Sequence, residues 1–156
     1  MKKASTIDII YLLIATVFGV GYTPICPGTA SCVVALIIFL LIANPIHFLI
    51  FTIISLIIAF LVSSRAEKIY GVKDCKLIVI DDFAGMLITF LFIPKQLVWI
   101  IAGFFLFRML DMLKIPPADR AEKLPGAKGI VGDDLIAGIY ANFILQAARG
   151  LVKIFS

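Results

Sequence analysis

An all-α membrane protein, a polytopic bundle of about six helical segments, is the fold this sequence predicts. Three observations carry that expectation. The chain is 62% hydrophobic and only 15% charged, with a mean hydropathy of +1.13, far from the balance of soluble domains. From Ile9 to Ser64 there is no Asp, Glu, Lys or Arg, a stretch that only a bilayer rewards. Proline and glycine then break the apolar sequence into runs, because proline lacks an N–H and glycine frees the backbone. At 156 residues, one domain over 1–156 is the natural count.

The first run, about Ile9 to Val20, ends at GYTPICPGTA. The second, about Ser31 to Ala43, stops at Asn44-Pro45. The third spans His47 to Val62, and the polar stretch SSRAEKIYGVKDCK follows. The fourth, about Leu77 to Ile93, stops at Pro94. The fifth runs from Leu97 to Leu113, before the loop KIPPADRAEKLPGAKG. The sixth starts near Ile130 and reaches about Ala148. Several runs fall short of the ~20 residues of a full span, so some are expected to tilt, pair or lie at the interface. The basic N-terminus and first apolar stretch resemble a signal peptide. Asp8 interrupts the stretch and no convincing cleavage site follows, so the segment is expected to stay in the mature protein.

The formal net charge is +4. Basic residues cluster between the runs, at Arg65, Lys68, Lys73 and Lys76 and again at Lys114, Arg120, Lys123 and Lys128. That is the pattern of cytoplasmic loops facing anionic lipid, not of a nucleic-acid surface. Cys26, Cys32 and Cys75 form no CxxC and His47 is the single histidine, which argues against zinc or a disulfide framework. With both basic loops cytoplasmic, alternating the direction of the runs brings PGTAS, Asp81-Asp82, Arg108, Asp111 and Asp133-Asp134 to one membrane face. The first run fits this alternation only as an interfacial or re-entrant helix. His47 falls on the opposite side.

The chemistry is expected at that face. Ionisable residues at membrane depth are costly and usually meet a partner, ion or substrate. Asp81-Asp82 and Asp133-Asp134 each head an apolar run, where a carboxylate also suits a helix N-terminus as a cap. Two pairs and Asp111 on one level favour a functional cluster over capping. Such a cluster suits Mg²⁺, a hard ion that seeks oxygen, and leaves open whether water or an aspartate attacks. Arg108 and Asp111 share a helix face, with Lys114 one step further; Arg108 is a candidate phosphate clamp. Thr29 or Ser31 is placed to cap the second run, whose free N–H groups then make an anion site. GAKGIVGDD approaches the second pair through glycines, as a close backbone approach or a flexible turn. Ala84-Gly85 and Ala137-Gly138 follow the two pairs and should let neighbouring helices come close. Cys26, with no histidine near it, is a weak nucleophile candidate.

TPxxPGT at Thr23 to Thr29, the acidic pair with Gly85, FRxxDxxK at Phe107 to Lys114 and GxxGxxxDDxxAG at Gly126 to Gly138 together resemble the phosphatidylglycerophosphatase A family. The resemblance implies a Mg²⁺-dependent lipid phosphatase of the bacterial inner membrane. It would take phosphatidylglycerophosphate at the cytoplasmic face and yield phosphatidylglycerol and phosphate. It further implies Asp81, Asp82, Asp133 and Asp134 as metal and catalytic residues. Arg108, Asp111, Lys114 and Thr29 would handle the phosphate. Asp81-Asp82 stands where the family often has Asp-Glu, which shortens one ligand's reach. Ile-Pro-Pro follows Lys114 where Lys-Pro is common. Ala127 and Lys128 replace a glycine and an apolar residue.

Two non-enzymatic rivals remain, a cation carrier and a structural bundle. A carrier should spread acidic residues through the membrane depth, and a structural bundle should need its aspartates for folding alone. A nucleotide-dependent lipid transferase would need a DG and AR pattern that is missing here. Membrane lipids are expected partners and nucleic acid is not; oligomeric state is left open.

Overall fold

The computed structural model describes residues 5–72 and 75–155. Lys73 of the first basic loop and the lysines of the N-terminal start lie outside the described residues. Seven helices and no strand are present among the described residues: α1 Thr6–Ala15, α2 Pro27–Leu41, α3 Pro45–Tyr70, α4 Ile80–Thr89, α5 Leu97–Leu113, α6 Ala118–Ala121 and α7 Ala127–Phe155. The expected all-helical bundle is what forms.

Local chemistry explains the boundaries. The Asn44 side chain accepts from the backbone N–H groups of Ile46 (2.8 Å) and His47 (3.4 Å). Pro45 takes the first helical position, where its missing N–H costs nothing. Gly71, at φ 67°, closes the other end of α3 in the left-handed conformation. The expected third run stopped at Val62. In the structure, SSRAEKIY continues the same helix for two more turns, because it contains good helix formers and no Pro or Gly. Likewise α2 begins at Pro27 rather than Ser31, α4 ends at Thr89, and α7 begins at Ala127, three residues before the expected start. The glycine approach is thus the first part of α7, not a loop. Within the long Pro/Gly loop, α6 is a short turn of helix that apolar periodicity did not mark.

Helix α4 lies at the centre, packed by α2, α3, α5 and α7. Nine of its ten residues are buried, and it is only ~15 Å long at 1.5 Å per residue. The longer helices enclose it. At 26 and 29 residues, α3 and α7 exceed the ~30 Å hydrocarbon thickness. Both are apolar enough to cross a membrane, with only a third or less of their most apolar windows buried in the fold. Ile37, Ile54, Leu61, Phe105 and Phe143 face outward. A soluble protein would not expose such continuous apolar faces, whereas lipid would cover them.

Close approach of α4 and α7 sets the interior. A Cβ on Gly138 would lie 2.5 Å from the Gly85 carbonyl oxygen, and one on Gly85 would lie 2.8 Å from the Asp134 carbonyl oxygen. Ala84 and Ala137 are buried beside them. The small residues permit this contact, as expected of helices in lipid. Phe39 stacks on Phe90 at 4.8 Å and meets Phe48 edge-on at 5.2 Å, filling the far half of the core. Thr52 and Thr89 return their hydroxyl protons to carbonyls one turn back, at 2.8 and 3.1 Å, so neither leaves an unpaired donor inside.

Helix α1 is ten residues long, ~15 Å, too short to cross. Its Asp8 pairs with Arg65 of α3 at 3.1 Å, and its Ala15 carbonyl accepts from Val79 just before α4. Both ends therefore meet residues at the same end of the bundle, in line with the expected interfacial placement.

Substituting Gly138→Val should force α4 and α7 apart. The expected cost is about 1–3 kcal/mol, read as a lower unfolding midpoint in detergent. Gly150→Ala, where an added Cβ meets nothing within 4 Å, should be neutral or slightly stabilising.

Candidate functional site

Five of the chain's ten acidic residues meet at one end of the bundle. Asp81 and Asp82 occupy the first turn of α4, delivered there by the buried segment Ile78-Val79. Asp133 and Asp134 lie on α7, past its first turn, so capping does not account for them. Asp111 sits near the end of α5. Together they line a cavity of about 320 Å³ with Arg108, Lys114, Lys76, Cys26, Pro27 and Gly28. The predicted convergence on one end is therefore present.

The basic residues divide the aspartates. Arg108 pairs with Asp82 and, at 2.8 Å, with Asp111 one helical turn away. Lys114 terminates α5 in the left-handed conformation, which turns it away from that face. Its ammonium reaches Glu122 at 2.5 Å and Asp133 at 3.1 Å. Asp81 and Asp134 have no basic partner among the described residues, yet both are buried. Oxygens of Asp81, Asp82 and Asp134 all lie within 4.8 Å of one another. The second oxygen of Asp133, Oδ1, is buried without a hydrogen-bond partner. Buried carboxylates left unpaired are costly. Five aspartates face three basic side chains in the cavity, a formal deficit of two positive charges. An all-oxygen set with that deficit fits a hard divalent cation such as Mg²⁺.

The remaining predicted residues are placed differently. Neither Thr29 nor Ser31 caps α2. Cys26 takes the N-cap position at φ 49°, with no side-chain cap, and the Ser31 hydroxyl donates instead to the Gly28 carbonyl at 2.8 Å. Thr29 is half-buried and does not line the cavity. It is Gly28 that touches the site: a Cβ there would collide with the Asp82 carboxylate. The PGT turn thus brings bare backbone against Asp82. His47 is exposed at the far end of α3, as expected.

Sequence reasoning passed over two neighbours. Cys32 is buried beneath the Arg108–Asp82 pair, 3.9 Å from Arg108 Nη1 and 3.8 Å from the Asp82 carbonyl oxygen. Glu122 holds Lys114 from the loop between α5 and α7. Spacing to the motif residues gave neither away, because both contacts are made across the fold.

The chain matches the family model described as phosphatidylglycerophosphatase A over residues 13–149. It belongs to the phosphatidylglycerophosphatase A family. It is 37% identical to the phosphatidylglycerophosphatase A of Haemophilus influenzae over 96% of this chain and 94% of that one. With the phosphatidylglycerophosphatase A of Escherichia coli it shares 36% identity, over 85% of this chain and 80% of the relative. A Bacteroides thetaiotaomicron protein provisionally named phosphatidylinositol-3-phosphatase is 31% identical over 97% and 99% of the two chains. No solved structure matches. The chain is a phosphatase, and the acidic end of the bundle is where its five clustered aspartates line a cavity.

Partial burial disfavours the Lys114 charge, but its bonds to Glu122 and Asp133 outweigh this and hold its pKa above the ordinary lysine value. A pKa raised by folding contributes stability below the unfolded value of ~10.4 that is lost as pH climbs past it. Unfolding midpoints followed from neutral to alkaline pH should show this loss above about pH 10.5. Lys114→Gln should lower the neutral midpoint and flatten that alkaline decline.

Proposed function

We propose that this enzyme removes the terminal phosphate from phosphatidylglycerophosphate in a Mg²⁺-dependent reaction at the cytoplasmic face of a bacterial inner membrane. The observation that carries this reading is the gap between Asp81, Asp82 and Asp134: three carboxylates within reach of one ion, two of them without a basic partner. These three side chains would hold Mg²⁺. Bound there, the ion would supply Lewis-acid polarisation of a phosphoryl oxygen and offset the charge that develops on it.

The chain's own groups account for the rest. Arg108 Nη1 is held by Asp82 and Asp111, which orients the guanidinium and leaves its remaining N–H groups for phosphate oxygens. Lys114 keeps Asp133 Oδ2 fixed, and the Asp133 carboxylate, which lines the cavity, would accept a proton from water. Water oxygen joins phosphorus, the ester P–O bond breaks, and the proton passes to the departing glycerol oxygen. Inorganic phosphate and phosphatidylglycerol result. Bare backbone at Gly28 lets the PGT turn pack directly against the Asp82 carboxylate at the rim of the cavity. The cavity lies at a bundle end, so the lipid's acyl chains would stay beside the apolar outer faces.

The positive-inside rule supports the cytoplasmic orientation. Arg65, Lys68, Lys76, Arg120, Lys123 and Lys128 flank the acidic end. The Bacteroides relative favours a second substrate, phosphatidylinositol 3-phosphate, also a lipid phosphomonoester.

Phosphate release from both lipids in mixed micelles tests the reading. Phosphatidylglycerophosphate should be the better substrate, EDTA should abolish release, and Mg²⁺ should restore it. Asp134→Asn should lower kcat by at least roughly a hundredfold while the protein stays folded. Release unaffected by EDTA would overturn the metal assignment; preference for the inositol lipid would overturn the substrate.

Cys26 is exposed and lines the site cavity, so it reports orientation. A membrane-impermeant maleimide should label it in inverted inner-membrane vesicles and leave it unlabelled in intact spheroplasts.

A further inference from the structure

The end of the bundle away from the aspartates carries a polar layer of opposite sign. A cavity of about 480 Å³ opens there, walled by Phe39, Phe48, Phe90 and Phe92 and edged by Lys95 and Arg149. No acidic residue lines it. Among the described residues, neither cation has an acidic partner. Each is instead held in place by backbone. Lys95 Nζ donates to the carbonyls of Leu40 (2.9 Å) and Ile42 (2.8 Å) and lies 5.4 Å from the centre of the Phe39 ring. Arg149 Nη1 donates to the Phe92 carbonyl at 3.0 Å. Gln146 and Asn142, one and two turns earlier on the same face of α7, satisfy the carbonyls of Thr89 and Leu91.

These bonds answer the open carbonyls where α2 and α4 end. Partial negative charge at helix ends favours cations but offsets only a fraction of each. One N–H of Lys95 and four of Arg149 are left over after the bonds above. The location in depth is also informative. Arg149 is fifteen residues beyond Asp134 on one helix, or ~22 Å along it. The hydrocarbon layer is ~30 Å thick, so with the acidic end at one head-group level, the Lys95–Arg149 pair lies at or just under the other.

We propose that this cavity binds an anionic phospholipid of the leaflet opposite the acidic site. The lipid phosphate would meet Lys95 and Arg149, and its glycerol and upper acyl chain would lie on the exposed apolar lining at Ala43, Pro45 and Phe92, over the buried phenylalanine rings. Charge complementarity selects an anion, and the apolar lining selects an amphiphile over a free ion. The inference rests on the bundle spanning a membrane and not on the hydrolase reading, so either stands if the other fails.

The single tryptophan provides the test. Trp99 lies on the first turn of α5, at the same end as Lys95, and donates to the Gln96 side chain at 3.1 Å. The full chain would be reconstituted in phosphatidylcholine vesicles. Its emission would then be titrated with brominated phosphatidylserine or brominated phosphatidylcholine, neither a substrate for phosphate removal. Phosphatidylserine should quench at a roughly tenfold lower mole fraction, as expected for two cations at the interface. The double variant Lys95→Gln with Arg149→Gln should lose the preference. Lys95→Arg with Arg149→Lys, which keeps both charges, should retain it and serves if the neutral variant misfolds. Equal quenching by the two lipids in the wild type overturns the proposal. So does a preference that survives in the folded neutral variant, or one that is lost in the charge-keeping variant.

Discussion

The closeness of α4 and α7 is the constraint on which the rest depends. Only glycine at 85 and 138 lets the two backbones meet, with the Gly85 carbonyl where a side chain at 138 would begin. That contact carries Asp81 and Asp82, one turn before Gly85, to Asp134, one turn before Gly138. The acidic site is therefore a consequence of helix packing. Lipid offers no hydrophobic force to drive helices together, so packing of small residues must do it. The same two elements unite acids at one end and, through Asn142, Gln146 and Arg149, close the exposed carbonyls of α4 at the other.

Gathering five carboxylates in one place, three of them buried and two partly buried, is unfavourable unless positive charge comes with them. The protein supplies part of it. Arg108 and Lys114 settle three of the five, and the groups they settle are thereby held in fixed positions. The unsettled remainder, Asp81 and Asp134 beside Asp82, is what makes the arrangement suited to a divalent ion and poorly suited to a purely structural role. A structural bundle would gain by replacing these residues with apolar ones. A cation carrier would distribute ligands along a path, whereas here the middle of the bundle is closed by Phe39, Met86, Leu87 and Phe90.

Much of this was legible in the sequence. The uncharged stretch from Ile9 to Ser64, the proline and glycine breaks and the basic loops were sufficient for an all-helical bundle with its acids at one end. Pairing by spacing worked for Arg108 and Asp111, because i,i+3 geometry is local. It failed for Lys114, whose left-handed backbone redirects the side chain to Glu122 and Asp133. Capping logic failed at Thr29 and Ser31, since Pro27 and Gly28 begin the helix earlier and leave no role for a side-chain cap. Asp133 and Asp134 seemed to open a helix only because glycines precede them; α7 already runs through those glycines. Contacts made across the fold, such as Cys32 under Arg108, leave no periodic trace. The polar face Asn142, Gln146 and Arg149 does recur at helical spacing on an apolar helix, and was readable in principle.

Binding of Mn²⁺ in place of Mg²⁺, followed by electron paramagnetic resonance on the purified protein without substrate, tests the central claim most directly. The account predicts one ion per chain, displaced by excess Mg²⁺, and retained when Cys26 is replaced by serine. It further predicts that Asp134→Asn, folded to the same extent, no longer holds the ion. A folded wild-type protein that binds no Mn²⁺, or an Asp134→Asn variant that binds it as tightly, would contradict the assignment of this acidic cluster as the metal centre.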